Sequence, residues 1–339
     1  MLYSYLIVSA IIIAKWAFPS VTTMILPIPL LIGMLGLGIS HGACDHKIIP
    51  IIKPGYQPTN WVHMARYWLS FLICYLGLAA VVIGLWWWVP TVAVAAFFLL
   101  TVWHWGSADA PHTDSKSQWV LHSVLRGIFL FAVPGVSWPG ATADVVNGLL
   151  TFAGSTPVSD TLFTQSIIGL WIGLGVGMPI LWLRYLRQHH ADRVIIDILE
   201  IGLLGVLLTV LPPVFSSGVY FVFWHSLQHV RRLNYVMGYE EGHASHQSWL
   251  KACKFFALRA WPLLLVSVLA LLGLYGWWAG HAPLATFWLP LALVCASVVT
   301  LPHALLVTLV MDTNSRRRSS QITSISSSEE LLPTYSKVA

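Results

Sequence analysis

The sequence predicts an all-α protein, a polytopic membrane helix bundle with about ten transmembrane helices. Of its 339 residues, 57% are hydrophobic and only 9% are charged, against roughly 25% charged residues in an ordinary soluble domain. No Asp, Glu, Lys or Arg occurs between residues 67 and 105. Apolar stretches of about 18 residues or more are typical of membrane-spanning helices.

Each span is an apolar stretch, and the stretches are separated either by polar, basic loops or by short links such as 89–91, 211–214 and 280–283. The predicted spans are 3–18, 24–43, 67–89, 91–108, 118–134, 162–183, 194–211, 213–234, 260–279 and 284–311. The first stretch lacks the basic start and small-residue cleavage site of a signal peptide, so we interpret it as a helix.

Two internal segments and the C-terminus are not predicted to span. Residues 139–154 are apolar but too short, and we expect a re-entrant or interfacial segment there. Residues 238–250 are polar and predict a loop. Residues 1–312 therefore form a single integral-membrane domain, and the Ser-rich, charged residues 313–339 predict a disordered tail.

Basic residues predict the orientation in the membrane. They are concentrated in the loops around residues 47–66, 184–193 and 231–259, and in the Arg-rich segment 316–318. With ten helices all four groups fall on one side, which the positive-inside rule makes cytoplasmic. We therefore expect a multi-pass protein of the inner (cell) membrane with both termini in the cytoplasm.

The net charge and the cysteines exclude other classes of protein. The net charge of +5 is spread over the loops and the tail, so it indicates orientation and not nucleic-acid binding. The four cysteines lie far apart without a C-x-x-C pair, so neither a disulfide framework nor a zinc knuckle is indicated.

Five histidines lie inside predicted spans, although ionisable groups in a bilayer are costly and usually face a bundle interior or cavity. They are His41, His104, His225, His229 and His303. Each lies in the cytoplasmic half of its helix, so four helices carry imidazole to a similar depth. His225 and His229 are spaced i, i+4 on one helix face, which suits two ligands of one ion. We therefore predict a shared metal site, with iron, copper and zinc all compatible with imidazole ligands.

A metal-binding imidazole usually donates its other ring N–H to an acceptor, commonly a carboxylate. Asp45 follows His41 by four residues and Asp109 closes the segment WHWGSAD after His104. We expect these carboxylates to orient metal ligands, although each could instead be a helix-end group at the interface. Phe221 lies four residues before His225 on the same face and is the best candidate for substrate contact.

Four segments carry a resemblance to a known family: GISHGACDH, WHWGSAD, FWHSLQHVRR and LPHALLV, in this order on multi-pass helices. Over residues 30–312 they resemble the Brp/Blh family of bacterial and archaeal β-carotene 15,15′-dioxygenases. The resemblance implies that the protein binds Fe(2+), takes β-carotene and O2 as substrates and releases two retinal molecules, with a rhodopsin as recipient. It also implies His41, His104, His225 and His229 as the iron ligands.

Under this interpretation we expect His303 to line the pocket or to hydrogen-bond a ligand-holding group. A fifth imidazole on iron would occupy a position that dioxygen needs.

The sequence also bears on four other classes of protein. Di-iron desaturases resemble one another in carrying many histidines in paired boxes, but only one H-x-x-x-H pair occurs in the predicted spans. An opsin needs a mid-membrane lysine, and every lysine except Lys15 lies in a loop or the tail. A carotenoid- or retinal-binding protein without catalysis, or a haem protein, stays open and would differ in its absorption spectrum.

Overall fold

The computed structural model describes residues 2–52, 59–111, 113, 115–239, 246–279 and 284–312. At residues 41, 246–250, 274, 275, 277–279, 284–287 and 312 it describes the backbone only. Within these residues every regular element is a helix, which confirms the all-α prediction. The predicted tail, residues 313–339, lies outside the described residues.

The helices follow one another along the chain with short connections. The α-helices are α1 Leu2–Ala17, α2 Pro19–Ile25, α3 Pro27–Gly33, α4 Ser40–Gly42, α5 Asp45–Ile52, α6 Trp61–Trp88, α7 Pro90–Asp109, α8 Lys116–Ser137, α9 Pro139–Phe152, α10 Asp160–Arg187, α11 Ala191–Val210, α12 Pro213–Val219, α13 Leu227–Val236, α14 His246–Ala279 and α15 Leu284–Leu306. Three π-helical segments join or extend them: π1 Met34–Ile39, π2 Tyr220–Ser226 and π3 Val307–Asp312.

Among the described residues, 7 helical segments are long and apolar enough to cross a membrane. They are Pro19–Ile39, Trp61–Trp88, Pro90–Asp109, Lys116–Ser137, Asp160–Arg187, Lys251–Gly273 and Trp288–Met311. The other three predicted spans are helical as well, but α1 is short and α11 carries four charged residues. The third, Pro213–Val236, is divided by π2. The prediction of a membrane helix bundle is confirmed, with ten as an approximate count.

Several boundaries differ from the prediction, among them the starts of α6 and α14. The chain is helical again from His246, so the predicted loop 238–250 is wrong for its last five residues, while residues 240–245 lie outside the described part. The residues that follow in α14 have one buried face. Phe256 and Ala260 pack in an apolar cluster with Leu233, whereas Lys251 and Lys254 are exposed.

The segment predicted as re-entrant or interfacial is a helix of 14 residues, α9. Leu149 and Leu150 are buried in a cluster with Val82 and Trp86. The C-terminal part of α9 therefore packs against longer helices, and the helix is too short for a span, as predicted.

Helices α7 and α8 pack with their backbones in direct contact. A Cβ on Gly106 would overlap the carbonyl of Ser123, and a Cβ on Gly127 would overlap the carbonyl of Val102. Small residues allow such close packing of membrane helices. The contact fixes the end of α7, which carries His104.

Candidate metal centre

Four histidines from three parts of the chain meet inside the bundle. His104 lies on α7, His225 in π2, His229 on α13 and His303 on α15, and the exposed fraction of each is 5% or less. The ring centroid of His104 lies 4.9 Å from that of His225 and 5.0 Å from that of His303. The centroid of His229 lies 5.2 Å from that of His303 and 6.2 Å from that of His225. We call these four residues the histidine cluster.

The fifth histidine, His41, is described by its backbone only, so its predicted place in the ligand set lies outside the described side chains. Its backbone is in α4, directly before Gly42. A Cβ on Gly42 would lie 3.8 Å from Nδ1 of His303. The chain at this point therefore runs next to the histidine cluster.

Asp45 is buried and hydrogen-bonds a histidine of the cluster. Nδ1 of His303 lies 2.9 Å from each of its carboxylate oxygens, and the Tyr75 hydroxyl donates to Oδ2 over 3.3 Å. A carboxylate can only accept, so Nδ1 carries the proton in this pair. Asp45 thus contacts an imidazole from the far end of the chain.

Asp109 was expected to orient a metal-binding imidazole, but the hydrogen bonds described for it come from other side chains. Its Oδ2 accepts hydrogen bonds from the Tyr220 hydroxyl over 2.8 Å and from Nε1 of Trp224 over 3.1 Å. Both donors belong to π2, and Trp224 directly precedes His225. Asp109 therefore ties the end of α7 to the segment that carries His225.

Each π-helical segment lies close to a histidine. π1 ends two residues before His41, π2 contains His225, and π3 begins four residues after His303. A π-helical turn adds a residue to the turn and changes the direction of the side chains that follow, and such turns are frequent at functional sites. The sequence did not reveal them, because their formation depends on packing against neighbouring helices.

Phe221 and Trp105 form an aromatic surface beside His225. The Phe221 ring is stacked on the His225 ring with centroids 5.9 Å apart and an interplanar angle of 17°. Trp105 lies 5.9 Å from Phe221 and 6.1 Å from His225, centroid to centroid. Both aromatic side chains are partly exposed, so they border the space next to the histidine cluster.

A second cluster of polar side chains lies inside the bundle, and it was not predicted from the sequence. Nε2 of His122 and Nε of Arg126 both contact Oδ1 of Asp197, at 2.9 Å and 3.2 Å. Arg126 and the Tyr5 hydroxyl also bond Glu200. These contacts cross-link α1, α8 and α11. Arg126, Asp197 and Glu200 lie inside apolar stretches of the sequence. Because buried charges are retained only when they are paired, these three residues could have indicated a buried ion-pair network.

The donor set suits a first-row transition metal. Imidazole binds iron, copper and zinc, and it is neutral, so several imidazoles can share a buried ion without charge repulsion. Among the described side chains, no three His, Cys, Asp or Glu residues already stand at metal-binding distance.

Comparison with known proteins points to one family. The family model described as β-carotene 15,15′-dioxygenase matches residues 32–311. A relative from Halobacterium salinarum, named "Probable beta-carotene 15,15'-dioxygenase Blh", is 30% identical over 295 residues, which cover 83% of this chain and 83% of that protein. "Beta-carotene 15,15'-dioxygenase" from an uncultured marine bacterium is 23% identical over 197 residues, 57% of this chain and 64% of that protein. No solved structure matches the chain significantly.

Proposed function

Because the chain belongs to the β-carotene 15,15′-dioxygenase family, we propose that it is an iron(II)-dependent oxidoreductase that cleaves β-carotene at its central double bond. Dioxygen is the second substrate, and the products are two molecules of retinal. Each retinal contains one of the two oxygen atoms of dioxygen. The names of the relatives support cleavage of a carotenoid. The observation that carries the proposal for this chain is the buried histidine cluster beside an aromatic surface.

The proposed iron ligands are His41, His104, His225 and His229. The imidazole-rich donor set and the short distances between the described rings support this assignment. Iron, when bound, would supply the activation of dioxygen. No external reductant is needed, since both oxygen atoms enter the two aldehydes.

The chain's own contribution is to position the polyene. The aromatic rings of Phe221 and Trp105 offer a flat apolar surface directly against His225. A polyene held on this surface presents one double bond to the cluster, and alignment of that kind supplies much of a rate enhancement. The near-complete burial of His225 and His229 keeps bulk water from the reacting carbons.

The membrane is both the location and the route of the substrate. A C40 polyene is about as long as the hydrocarbon core is thick, about 30 Å, so we propose that β-carotene enters sideways from the lipid. We place the protein in the inner membrane with both termini in the cytoplasm. Retinal would leave into the bilayer, where a rhodopsin can take it up.

Oxygen-isotope labelling tests this proposal. Purified full-length protein in detergent is loaded with iron(II), mixed with β-carotene and exposed to ¹⁸O2, and the products are reduced at once to retinol to stop exchange with water. We expect retinol in which every molecule carries ¹⁸O, and no product from His225→Ala. A label in only half of the molecules, shorter and longer fragments from an off-centre bond, or no cleavage by the iron-loaded protein would contradict the proposal.

A further inference from the structure

His303 has the surroundings of a metal ligand and not only those of a pocket residue. It is 5% exposed, it comes from the last described helix, and its Nδ1 lies 2.9 Å from both oxygens of Asp45. The Tyr75 hydroxyl holds the same carboxylate from α6. A histidine that donates one ring N–H to a buried carboxylate is the usual arrangement of a metal-bound imidazole, because it fixes the tautomer and the orientation of the ring. The lone pair is then on Nε2.

The distances between the rings agree with a common ion. An imidazole bound at about 2.1 Å has its ring centroid about 3.3 Å from the metal, so the centroids of two ligands of one ion lie about 4.6 to 6.5 Å apart. His303 lies 5.0 Å from His104 and 5.2 Å from His229. The pairs formed by the expected ligands span 4.9 to 6.5 Å. By this measure His303 is as well placed as they are.

Half-buried His46 and buried His122 do not share this arrangement. The ring of His46 is stacked on Trp68 with centroids 4.9 Å apart, and its Nδ1 lies 3.1 Å from the carbonyl of Ala43. His122 also contacts a carboxylate, but its second ring nitrogen lies 3.0 Å from the Tyr185 hydroxyl. A carboxylate partner together with a place among the other imidazoles therefore distinguishes His303 from both.

We propose that His303 is an additional ligand of the metal, with Asp45 as the positioning residue that orients it through Nδ1. The inference rests on the proposed function, since it requires a metal in the histidine cluster. It revises the expectation that a fifth imidazole would exclude the substrate gas, because five imidazoles on a six-coordinate ion still leave one position open. It also explains why a carboxylate from α5 and a histidine from α15 are buried together.

Substitution by cysteine followed by cobalt(II) loading tests ligation directly. The full-length protein is stripped of metal in detergent and loaded with Co²⁺, and the absorption spectra of wild type, His303→Cys and His46→Cys are compared. A thiolate on Co²⁺ gives a charge-transfer band in the near ultraviolet. We expect that band in His303→Cys alone, since His46 lies next to Asp45 in sequence but faces Trp68.

Binding measurements provide a second readout if the cysteine variant does not fold. We expect His303→Ala to bind Co²⁺ more weakly than wild type and to recover affinity when imidazole is added to the solution. Asp45→Ala should lose about 10- to 100-fold in metal affinity, as for other groups that orient a ligand. Asp45→Asn keeps one acceptor oxygen and should lose less.

The outcomes separate this inference from the proposed function. If wild type binds the metal, but His303→Cys lacks the band and His303→Ala binds as tightly as wild type, His303 is not a ligand, and the proposed function stands. If wild type binds neither iron nor cobalt, the proposed metal centre itself is wrong, and the inference falls with it.

Discussion

At the scale of single residues, Asp45 joins two distant parts of the chain beside the histidine cluster. A carboxylate four residues after a histidine, at the end of an apolar span, predicts a role near a metal. Its partner, however, is 258 residues away in sequence. Side-chain chemistry is local and can be read from the chain, whereas the identity of a partner depends on how distant helices pack. For the same reason Asp109 was expected near a metal-binding imidazole, but the hydrogen bonds described for it come from Tyr220 and Trp224.

Phe221 carries a prediction about where the substrate is cut. Phe221→Ala should leave the iron content unchanged, since the residue holds no metal, but remove the ring that is stacked on His225. Misplacement of a substrate by about 1 Å can cost about 100-fold in rate, so we expect a 10- to 100-fold lower kcat and some off-centre products. Product analysis by chromatography measures both. Phe18→Ala is the matched control, because Phe18 is 64% exposed. Unaltered rate and products in Phe221→Ala would exclude this residue from the substrate site.

At the scale of elements, apolar length and charge predicted the spans well, while irregularities within them could not be predicted. The stretch 213–234 is predicted as one helix, yet its middle turn is π-helical and carries His225. This turn is held from outside by Asp109 of α7, and no local pattern in the sequence encodes that contact. The start of α14 lies in a polar stretch that predicts a loop, whereas Phe256 and Ala260 further along the same helix are buried in the bundle.

Asp109 should stabilise π2 and, through it, the metal site. Asp109→Ala leaves the Tyr220 hydroxyl and the Trp224 N–H without their acceptor, which typically costs about 1 to 3 kcal/mol for each buried group. We expect a lower Tm in detergent and less bound iron. Asp144→Ala, at an exposed position on α9, serves as the control.

A double-mutant cycle distinguishes this role from a general loss of stability. In a Tyr220→Phe background, Asp109→Ala should cost less than in wild type, because one of its two hydrogen bonds is already gone. Equal costs in both backgrounds would show that Asp109 does not act through Tyr220.

The contact between α7 and α8 leads to a second prediction at this scale. Gly127→Ala places a Cβ against the carbonyl of Val102, and overpacking of this kind costs typically about 1 to 3 kcal/mol. We expect a lower Tm together with weaker metal binding, since His104 lies on the displaced helix. Gly77→Ala is the matched control, because nothing lies within 4 Å of a Cβ there. Equal thermal stability of the two variants would mean that the close contact is not required.

At the scale of the whole molecule, the described residues include two clusters of buried polar side chains. One is the histidine cluster with Asp45, next to the aromatic surface of Phe221 and Trp105. The other is the ion-pair network around Arg126, which cross-links α1, α8 and α11. Depth within the spans was enough to predict that the histidines meet, because helices of opposite direction carried them to one level. The ion-pair network around Arg126 could not be predicted from depth alone. Its members meet only because α1, α8 and α11 are rotated towards one another, and the sequence does not define that rotation.

In the proposed mechanism, the histidine cluster holds the iron on which cleavage depends. The most direct measurement is the iron content per chain of folded, monodisperse protein, compared between wild type, His225→Ala and His229→Ala. His122→Gln is the control, since His122 is a buried histidine outside the cluster. We predict about one iron per chain in wild type and in the control, and well below half of that in the two cluster variants, as expected when one ligand of a shared ion is lost. Full iron content in either cluster variant, or a wild-type protein that carries no iron after loading, would contradict the claim.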